Sequence, residues 1–536
     1  MLGIKAFYSR LSPKDDMPDN PALPEAAPIG EGRGRAEDRP LLGRLRLSRR
    51  SLLVGVTLGG VGLAGGASLL RSGSAQAPVI GPGSPLVAAT ERARRRSGRT
   101  VDIALTAAAG TVDLAGRKVE AFLYDGQLPG KEIRVSKGDL LNVSLRNDLP
   151  EMGSIHWHGL TLRNDMDGVP GLTQKPIAAG ASFRYSFVVP EAGTYWFHSH
   201  SGLQLEKGLY APLVVEDPAE PAVADVEAVL VLDDWAQGVG PSPEAIYADL
   251  QANGMAGMGG MGMGGMPTAA QPLGTDGGDV PYPLHLVNGR PPEDPYVVEA
   301  KPGQRVRLRL INAGADSAYR FAVGGHRLTV THADGFAVQP VEVNTLVIGM
   351  GERYDVVVTA GSGVFPIAVV RESKADPPAR ALLRTGPGAT PALNARPAEL
   401  DGRLLAYADL RPTDAVALPS GRPDVTFRYA LGMQPSGYVW TINDRVYADR
   451  VPERVRMGQR VRLEFTNASM MFHPMHLHGH TFALAGTGAR KDTVNVAPMQ
   501  TLSVDVQADN PGQWMIHCHN AFHLESGMAT SLSYVH

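Results

Sequence analysis

The fold class follows from the stretch VSKGDLLNVSLRN, residues Val135–Asn147, which passes from a glycine turn into alternating apolar and other positions. Alternation with a period of two indicates a strand with one buried face. The same register returns in Gly303–Asn312 and Gly458–Asn467, and in each copy the asparagine follows the glycine by nine residues. The copies lie too far apart for a solenoid repeat. They predict an all-β protein of three homologous Greek-key β-sandwich domains.

The composition supports turn-rich β domains and excludes some other classes. The chain has 536 residues, of which 43% are hydrophobic and 20% charged, and it contains 62 glycines and 42 prolines. Such a chain can bury sizeable cores, and its many turn residues favour strands over a helical bundle. The net charge of −3 lacks the basic excess typical of nucleic-acid-binding proteins. We place the domains at 95–218, 225–375 and 400–536, with proline-rich linkers around Asp217-Pro218 and at 376–399.

Residues 1–77 are expected to be a disordered N-terminal region that ends in a signal peptide. Arg49-Arg50 precedes a weakly apolar run with six glycines, and Ala75-Gln76-Ala77 is a small-residue cleavage site. These features together form a twin-arginine secretory signal. A single membrane anchor is the alternative, which the glycines disfavour. The mature protein would begin near Pro78 and act in the periplasm or outside the cell, without stable membrane insertion. It would have no internal disulfide, because Cys518 is the only cysteine.

Ten of the 15 histidines lie in four short clusters, two in the first predicted domain and two in the third. The clusters are His156-Trp157-His158-Gly159, His198-Ser199-His200, His473-Pro474-Met475-His476-Leu477-His478, and His517-Cys518-His519 followed by His523 and Met528. Residues i and i+2 of a strand point to the same face, so each His-x-His pair offers two imidazoles to one side. We therefore expect eight imidazoles to converge on one place.

The residues that point to the opposite faces of these strands predict a second metal site. Cys518 faces away from its two flanking histidines, and His473 faces away from the other two histidines of its cluster. His523 joins them after a short loop, and Met528 can be a weak axial ligand. Two histidines and one cysteine with a long axial thioether are the ligands of a blue-copper electron-transfer site. The eight remaining imidazoles suit further copper ions.

The two predicted sites are linked through the backbone at Cys518. An electron that arrives at this cysteine has a short path through bonds to both flanking imidazoles. A covalent path of this kind suits the coupling of one-electron oxidations to a multi-electron acceptor such as O₂. Zinc is the alternative metal, but a structural zinc site has four ligands and tends to use more thiolate.

These motifs resemble those of the three-domain multicopper oxidases, a family that includes laccases and bacterial copper-resistance oxidases. H-W-H-G, H-S-H, H-P-x-H-x-H and H-C-H-x₃-H-x₄-M occur in the family's order. The resemblance implies three cupredoxin domains, four copper ions, and four one-electron oxidations coupled to the reduction of O₂ to two waters. It also implies that the eight imidazoles lie at the interface of the first and third domains. The ligands that it implies are His473, Cys518, His523 and Met528 for type 1 copper, His156 and His476 for type 2 copper, and His158, His198, His200, His478, His517 and His519 for the two type 3 ions.

Reduction of O₂ to water consumes protons, so an acid is needed near the copper ions. Asp167, in an Asp-Gly pair after His158, resembles the family's carboxylate near type 2 copper, with an ordinary turn residue as the alternative. Some bacterial members carry an acid directly after the last type 1 histidine, whereas this chain has Leu524 there and Glu525 next. We predict Cys518, Asp167 and Glu525 as catalytic residues.

Five methionines interspersed with glycine form an insertion at 253–266 of the second domain. They are Met255, Met258, Met261, Met263 and Met266. Thioethers are soft ligands that select Cu(I), so the insertion predicts a loop that captures cuprous ions. This Met-rich insertion is similar to those of copper-tolerance oxidases. The alternative is a glycine-rich segment in which methionine is incidental.

The remaining histidines lack the His-x-His spacing or a cysteine partner. We interpret His285, His326 and His332 as structural. His480 shares a strand face with His478 and so resembles a ligand, but the family pattern omits it. The second domain is expected to act mainly as a spacer. Our first hypothesis is an exported, monomeric multicopper oxidase that oxidises Cu(I) and phenols with O₂ in copper tolerance. The alternatives are a laccase with an aromatic natural donor and a non-catalytic copper-binding protein of the same fold.

Overall fold

The computed structural model describes residues 77–220, 223–254 and 265–536, in which three pairs of β-sheets follow one another along the chain. The α-helices in these ranges are α1 Pro85–Ala93, α2 Pro243–Asn253 and α3 Ala521–Glu525. Of the helices in the described ranges, none has the length and apolar character needed to cross a membrane. The sheets confirm the all-β prediction.

Two four-stranded sheets build the first domain. Its strands are β1 Thr100–Leu114, β2 Arg117–Tyr124, β3 Ile133–Ser136, β4 Leu140–Asp148, β5 His156–His158, β6 Ser182–Val188, β7 Gly193–His198 and β8 Tyr210–Glu216. One sheet has the order β2-β1-β4-β6, and the other has the order β3-β8-β7-β5. The second sheet therefore carries the first two histidine clusters.

The second domain has a six-stranded and a five-stranded sheet. Its strands are β9 Val226–Trp235, β10 Leu284–Val287, β11 Tyr296–Glu299, β12 Arg305–Asn312, β13 Tyr319–Val323, β14 Leu328–Ala333, β15 Phe336–Val343, β16 Leu346–Ile348, β17 Arg353–Thr359, β18 Val364–Arg371 and β19 Ala379–Arg384. The orders are β10-β9-β12-β17-β14-β15 and β11-β19-β18-β13-β16. Strand β19 lies within 376–399, where the prolines predict a linker, yet it pairs with both β11 and β18.

The third domain repeats this arrangement. Its strands are β20 Val425–Met433, β21 Trp440–Ile442, β22 Glu453–Val455, β23 Arg460–Asn467, β24 His473–Leu477, β25 Phe482–Leu484, β26 Arg490–Lys491, β27 Thr493–Val496, β28 Thr501–Gln507, β29 Gln513–Cys518 and β30 Ala529–Tyr534. The orders are β21-β20-β23-β28-β25-β26 and β22-β30-β29-β24-β27. The last two histidine clusters lie on the neighbouring strands β24 and β29.

The repeated sequence pattern is a central strand of each domain. It forms β4, β12 and β23, each paired in parallel with the first strand of its domain. The recurring asparagines, Asn147, Asn312 and Asn467, are buried at the ends of these strands. The side-chain amide of each one donates to backbone carbonyls, and its Oδ1 accepts from the backbone N–H two residues on. Asparagine recurs because it supplies partners to buried backbone groups where the chain leaves the sheet.

Candidate metal centre

Strand pairing within the first and third domains brings the histidine clusters together in pairs, and packing of the two domains joins these pairs. Strand β5 lies beside β7, with His156 opposite His198, and β24 lies beside β29, with His476 opposite His517. Rings from the two domains then stack on each other. The ring centroids of His156 and His478 are 3.8 Å apart, and those of His158 and His476 are 3.9 Å apart.

Within the described residues, the imidazole nitrogens form three groups whose members lie within 4.8 Å of one another. Such groups can surround single metal ions. The groups are His158, His198 and His519; His200, His478 and His517; and His156, His158 and His476. Each group combines histidines of the first and third domains.

The protonation pattern of one facing pair fits a bound cation. His478 Nδ1 lies 3.0 Å from the Asp167 carboxylate, and His517 Nδ1 lies 2.8 Å from the Cys518 carbonyl. Both Nδ1 atoms therefore donate, and in a neutral imidazole the other nitrogen then carries a lone pair. The two Nε2 atoms face each other at 3.0 Å. Two lone pairs at this distance repel unless a cation lies between them.

A second facing pair has the same pattern. His156 Nδ1 donates to the carbonyl of Asp167 at 2.9 Å, and His476 Nδ1 donates to the carbonyl of Asp492 at 3.0 Å. Their Nε2 atoms lie 3.4 Å apart. Each carbonyl thus fixes the tautomer that leaves the inward nitrogen free to bind a metal ion.

Other imidazole nitrogens are buried with no hydrogen-bond partner among the described residues. They are His158 Nδ1, His198 Nε2 and both ring nitrogens of His519. Burial lowers the pKa of all three imidazoles well below the ordinary value, so that they stay neutral at neutral pH. Neutral imidazole is the form that binds metals. The site therefore fits metal ions with nitrogen ligands.

The histidines and cysteine of opposite parity form a separate group. The Nδ1 atoms of His473 and His523 lie 3.2 Å apart, and Cys518 Sγ lies 3.7 and 3.5 Å from them. Their Nε2 atoms donate outwards, to Ser469 Oγ at 2.8 Å and to Asp279 Oδ2 at 3.0 Å. Burial raises the pKa of the Cys518 thiol, so a nearby cation is needed to hold it as a thiolate at neutral pH.

Met528 is brought to this group by backbone hydrogen bonds. Its N–H donates to the His523 carbonyl at 3.0 Å, and its carbonyl accepts from the Cys518 N–H at 3.1 Å. Its side chain is fully buried.

A small cavity reaches the buried imidazoles and is bordered by the predicted acid Glu525. Its volume is about 30 Å³, which is room for one or two water molecules, and its walls include His198, His519 and Leu524. Burial raises the pKa of Glu525 to about 7. Asp167, the other predicted acid, contacts imidazoles of both domains, as described above.

A buried ion pair beside the imidazoles was not predicted from the sequence. Asp492 lies between β26 and β27, and its carboxylate contacts His158 Nε2 at 3.1 Å and receives two hydrogen bonds from Arg353. Burial alone would raise the pKa of Asp492, but Arg353 and the imidazole contacts hold it well below its usual range. No spacing rule in the sequence connects Arg353 with Asp492, which lies 139 residues further along the chain.

The second domain does more than separate the other two. A Cβ atom on Gly351 would lie 2.9 Å from ring atoms of both His158 and His519, and Gly351 has a φ of +83°. Only glycine can supply this conformation and this close approach. The backbone of the second domain therefore packs directly against the imidazoles, which corrects the expectation of a spacer.

The histidines interpreted as structural have other partners. His285 contacts the Tyr319 hydroxyl at 2.8 Å, His326 contacts the Gly324 carbonyl, and His480 contacts the Tyr534 hydroxyl at 2.6 Å. No metal-ligand group found in the described ranges includes these three histidines or His332.

Some of the residues to which the sequence assigns a role lie outside the described residues. They are Met255, Met258, Met261, Met263 and the twin-arginine region. Met266 is described, and its side chain is 55% exposed.

Comparisons with known proteins agree with this geometry. The multicopper oxidase family matches residues 106–220, 229–388 and 421–535. The chain is 45% identical to the multicopper oxidase MmcO of Mycobacterium tuberculosis, over 91% of this chain and 97% of the relative. It is 28% identical to copper resistance protein A of Escherichia coli, over 90% of this chain and 98% of that one.

The fold also matches a solved laccase. The crystal structure of the laccase from Botrytis aclada superposes with a TM-score of 0.66 and 27% identity, covering 82% of this chain and 88% of that chain. The family match spans most of the chain, and the relatives align over almost their full length. The chain therefore belongs to the multicopper oxidase family, copper-dependent oxidoreductases that use O₂ as the electron acceptor.

Proposed function

We propose that this chain is an exported multicopper oxidase that oxidises Cu(I), and also phenolic donors, while it reduces O₂ to two waters in copper tolerance. One observation carries the proposal. Cys518 contacts two imidazoles on one side, while the histidines before and after it belong to the groups on the other side. A site for one-electron transfer is thus joined by the backbone to a site large enough for several metal ions.

The proposed ligands are those of the family pattern. His473, Cys518, His523 and Met528 would hold type 1 copper, His156 and His476 type 2 copper, and His158, His198, His200, His478, His517 and His519 the two type 3 ions. Copper bound there would supply one-electron transfer and the binding and reduction of O₂. The groups of buried nitrogens and the thiol support this assignment.

The protein's own contribution is to orient the ligands, connect them and supply protons. Outward hydrogen bonds fix the tautomer of the imidazoles before any ion binds, which avoids reorganisation later. The backbone of Cys518 gives a covalent path to His517 and His519. Asp167 and Glu525 lie at the imidazoles and at the cavity wall, where general acids are needed for reduction of O₂ to water.

The position of the described C-terminal end of the Met-rich insertion supports Cu(I) as a donor. The backbone N–H of Thr275 donates to the Gly265 carbonyl, so the C-terminal end of the insertion contacts the segment that follows it. A Cβ atom on Gly274 would lie 3.0 Å from the Pro498 ring. Pro498 follows strand β27, in which Val496 pairs with His473. The C-terminal end of the insertion therefore lies near the strand that pairs with His473, a proposed type 1 ligand.

Oxygen uptake with different donors tests the proposal. We expect the copper-loaded protein to bind four copper ions per chain and to consume O₂ with Cu(I) at a higher kcat/KM than with a dimethoxyphenol. A preference for the phenol would make the chain a laccase with an aromatic donor. Bound copper without O₂ uptake would make it a copper-binding protein without oxidase activity. Release of a chain that begins near Pro78, checked by N-terminal sequencing, tests export.

A further inference from the structure

Two aspartates occupy corresponding places around the imidazoles. In the first domain, the Asp167 carbonyl accepts from His156 Nδ1 at 2.9 Å, and its carboxylate reaches His478 Nδ1 of the third domain at 3.0 Å. The rings of these two histidines are stacked, with centroids 3.8 Å apart. Asp167 therefore supports one imidazole of its own domain and one of the other.

Asp492 makes the matching contacts from the third domain. Its carbonyl accepts from His476 Nδ1 at 3.0 Å, and its carboxylate Oδ1 lies 3.1 Å from His158 Nε2 of the first domain. The rings of these two histidines are also stacked, with centroids 3.9 Å apart. The contacts of Asp492 therefore correspond to those of Asp167, because each carboxylate reaches an imidazole of the other domain.

The guanidinium of Arg353 distinguishes the two aspartates. Arg353 Nη1 and Nη2 donate to the two carboxylate oxygens of Asp492, each at 2.7 Å. In the described part of the chain, Asp167 has no arginine or lysine partner. Arg353 and both aspartates are fully buried. One carboxylate is thus fixed by a guanidinium, whereas the side-chain partners of the other within the described residues are imidazoles.

Backbone carbonyls of the first and second domains position this guanidinium. Arg353 Nε donates to the Thr194 carbonyl at 3.1 Å, and Nη1 donates to the Gly351 carbonyl at 3.2 Å. A Cβ atom on Gly159 would lie 2.3 Å from Arg353 Nη2 and 2.8 Å from Asp492 Oδ2. The glycine that ends the H-W-H-G motif therefore leaves room for this ion pair beside His158.

We propose that Asp492, held by Arg353, is a positioning residue that orients His158 and His476 for copper at the oxygen-reducing site. The proposal rests on the copper assignment given above. A hydrogen bond from His158 Nε2–H to the carboxylate leaves the lone pair on Nδ1, the buried nitrogen without a partner. The Asp492 carbonyl accepts from His476 Nδ1, and this hydrogen bond likewise leaves the lone pair of His476 on Nε2.

Arg353 makes this support rigid and links it to the second domain. A guanidinium bound through two parallel hydrogen bonds fixes the plane of a carboxylate as well as its position. The role of Asp492 is then to hold the imidazole rings of His158 and His476 in place. Asp167, which has no such partner, is the carboxylate left to move protons. All three domains thereby contribute to a site whose proposed ligands come from only two.

Copper affinity of the type 2 and type 3 sites tests the proposal. Outer hydrogen-bond partners typically contribute a factor of about 10 to 100 in metal affinity. We expect Asp492→Asn to lose about this factor in titrations against a chelator and to weaken the type 2 electron paramagnetic resonance signal. The blue type 1 band should stay unchanged, which also reports that the third domain is folded. Asp355→Asn is the matched control, since Asp355 is a buried carboxylate held by Arg307 and Arg309 with no contact to a proposed ligand.

A double variant separates positioning from simple charge balance. Asp492→Asn with Arg353→Met leaves no unpaired buried charge, so it restores folding if the single variant fails to fold. We expect the double variant to show the same loss of copper affinity, because the carboxylate is still missing. Wild-type affinity in the single or the double variant would overturn the proposal. If the wild-type protein itself binds no type 2 or type 3 copper, the proposed function fails instead.

Discussion

His523 and Asp279 are joined by a hydrogen bond of 3.0 Å between the imidazole Nε2 and the carboxylate Oδ2, although 244 residues separate them in the chain. Asp279 also accepts from the Tyr438 hydroxyl, and all three side chains are buried. The other imidazole of this group, His473, donates instead to a serine hydroxyl. The two proposed type 1 imidazoles therefore differ in the charge of their outer partners.

Removal of the Asp279 charge should raise the reduction potential of the type 1 site. A carboxylate partner makes the imidazole a stronger donor, which favours Cu(II) over Cu(I). We expect Asp279→Asn to raise the potential by on the order of 60 mV, the equivalent of a tenfold change in a one-electron equilibrium. Redox titration of the blue band measures this shift. Asp276→Asn, at a buried carboxylate paired with Lys374, should leave the potential unchanged.

Replacement of Cys518 by serine should abolish both the blue absorption and turnover. The side chain is fully buried, and serine has nearly the same size, so the fold should persist. A hydroxyl cannot replace the thiolate as a ligand or as the start of the path to the flanking imidazoles. Absorption spectra and O₂ uptake on copper-loaded protein check this, with circular dichroism as the control for folding. Persistent turnover would contradict the assignment.

Glu525→Gln should slow the reduction of O₂ without affecting reduction by the donor. Glutamine keeps the shape of a side chain that borders the cavity but cannot supply a proton. Loss of a general acid typically costs a factor of about 10² or more. Stopped-flow reoxidation of the reduced protein by O₂ measures this step, and anaerobic bleaching of the blue band by the donor is the control. Equal reoxidation rates would exclude Glu525 as the acid.

The Met-rich insertion should matter for Cu(I) and not for phenols. Deletion of 253–266 removes all five methionines, and a second variant with the five changed to leucine keeps the length. We expect both to lower kcat/KM for Cu(I) at least about tenfold, which corresponds to about 1.4 kcal/mol of lost binding. Phenol oxidation should be equal or higher. Unchanged activity with both donors would refute Cu(I) capture.

Asp355 should contribute stability that is lost in acid. Burial alone would raise the pKa of Asp355, but Arg309 and Arg307 hold it far below the ordinary value. A carboxyl with a depressed folded-state pKa stabilises the protein above its unfolded pKa of about 4, and this contribution disappears as the pH falls further. Loss of one partner of a buried ion pair costs about 3–5 kcal/mol. Asp355→Asn should therefore lower the denaturation midpoint clearly at pH 7 and progressively less below about pH 4.

The three-domain fold could be predicted because its signals are local. Alternation along Val135–Asn147 and its two copies depends only on the period of a strand, and the structure confirms these strands. The bounds of the domains were harder to predict than the strands. Strand β19 lies in a proline-rich segment, and only its pairing with β11 and β18 makes it part of a sheet.

The histidine groups were also accessible from the sequence, since i and i+2 residues share a face. Parity separates His473 and Cys518 from the other histidines of their clusters, and these two residues lie with His523 in one group of nearby ligand atoms. The ion pair of Arg353 and Asp492 was not accessible. It joins residues of two domains, and an isolated arginine or aspartate carries no periodic signal.

The sequence by itself determined which side chains face together, because the direction of a side chain on a strand is set by local backbone geometry. The tertiary structure alone decided what lies behind those side chains. Asp279 behind His523, and Asp492 with Arg353 behind His158, reach their places through the packing of whole domains. Contacts of this kind depend on the relative placement of distant segments, which no short stretch of residues encodes.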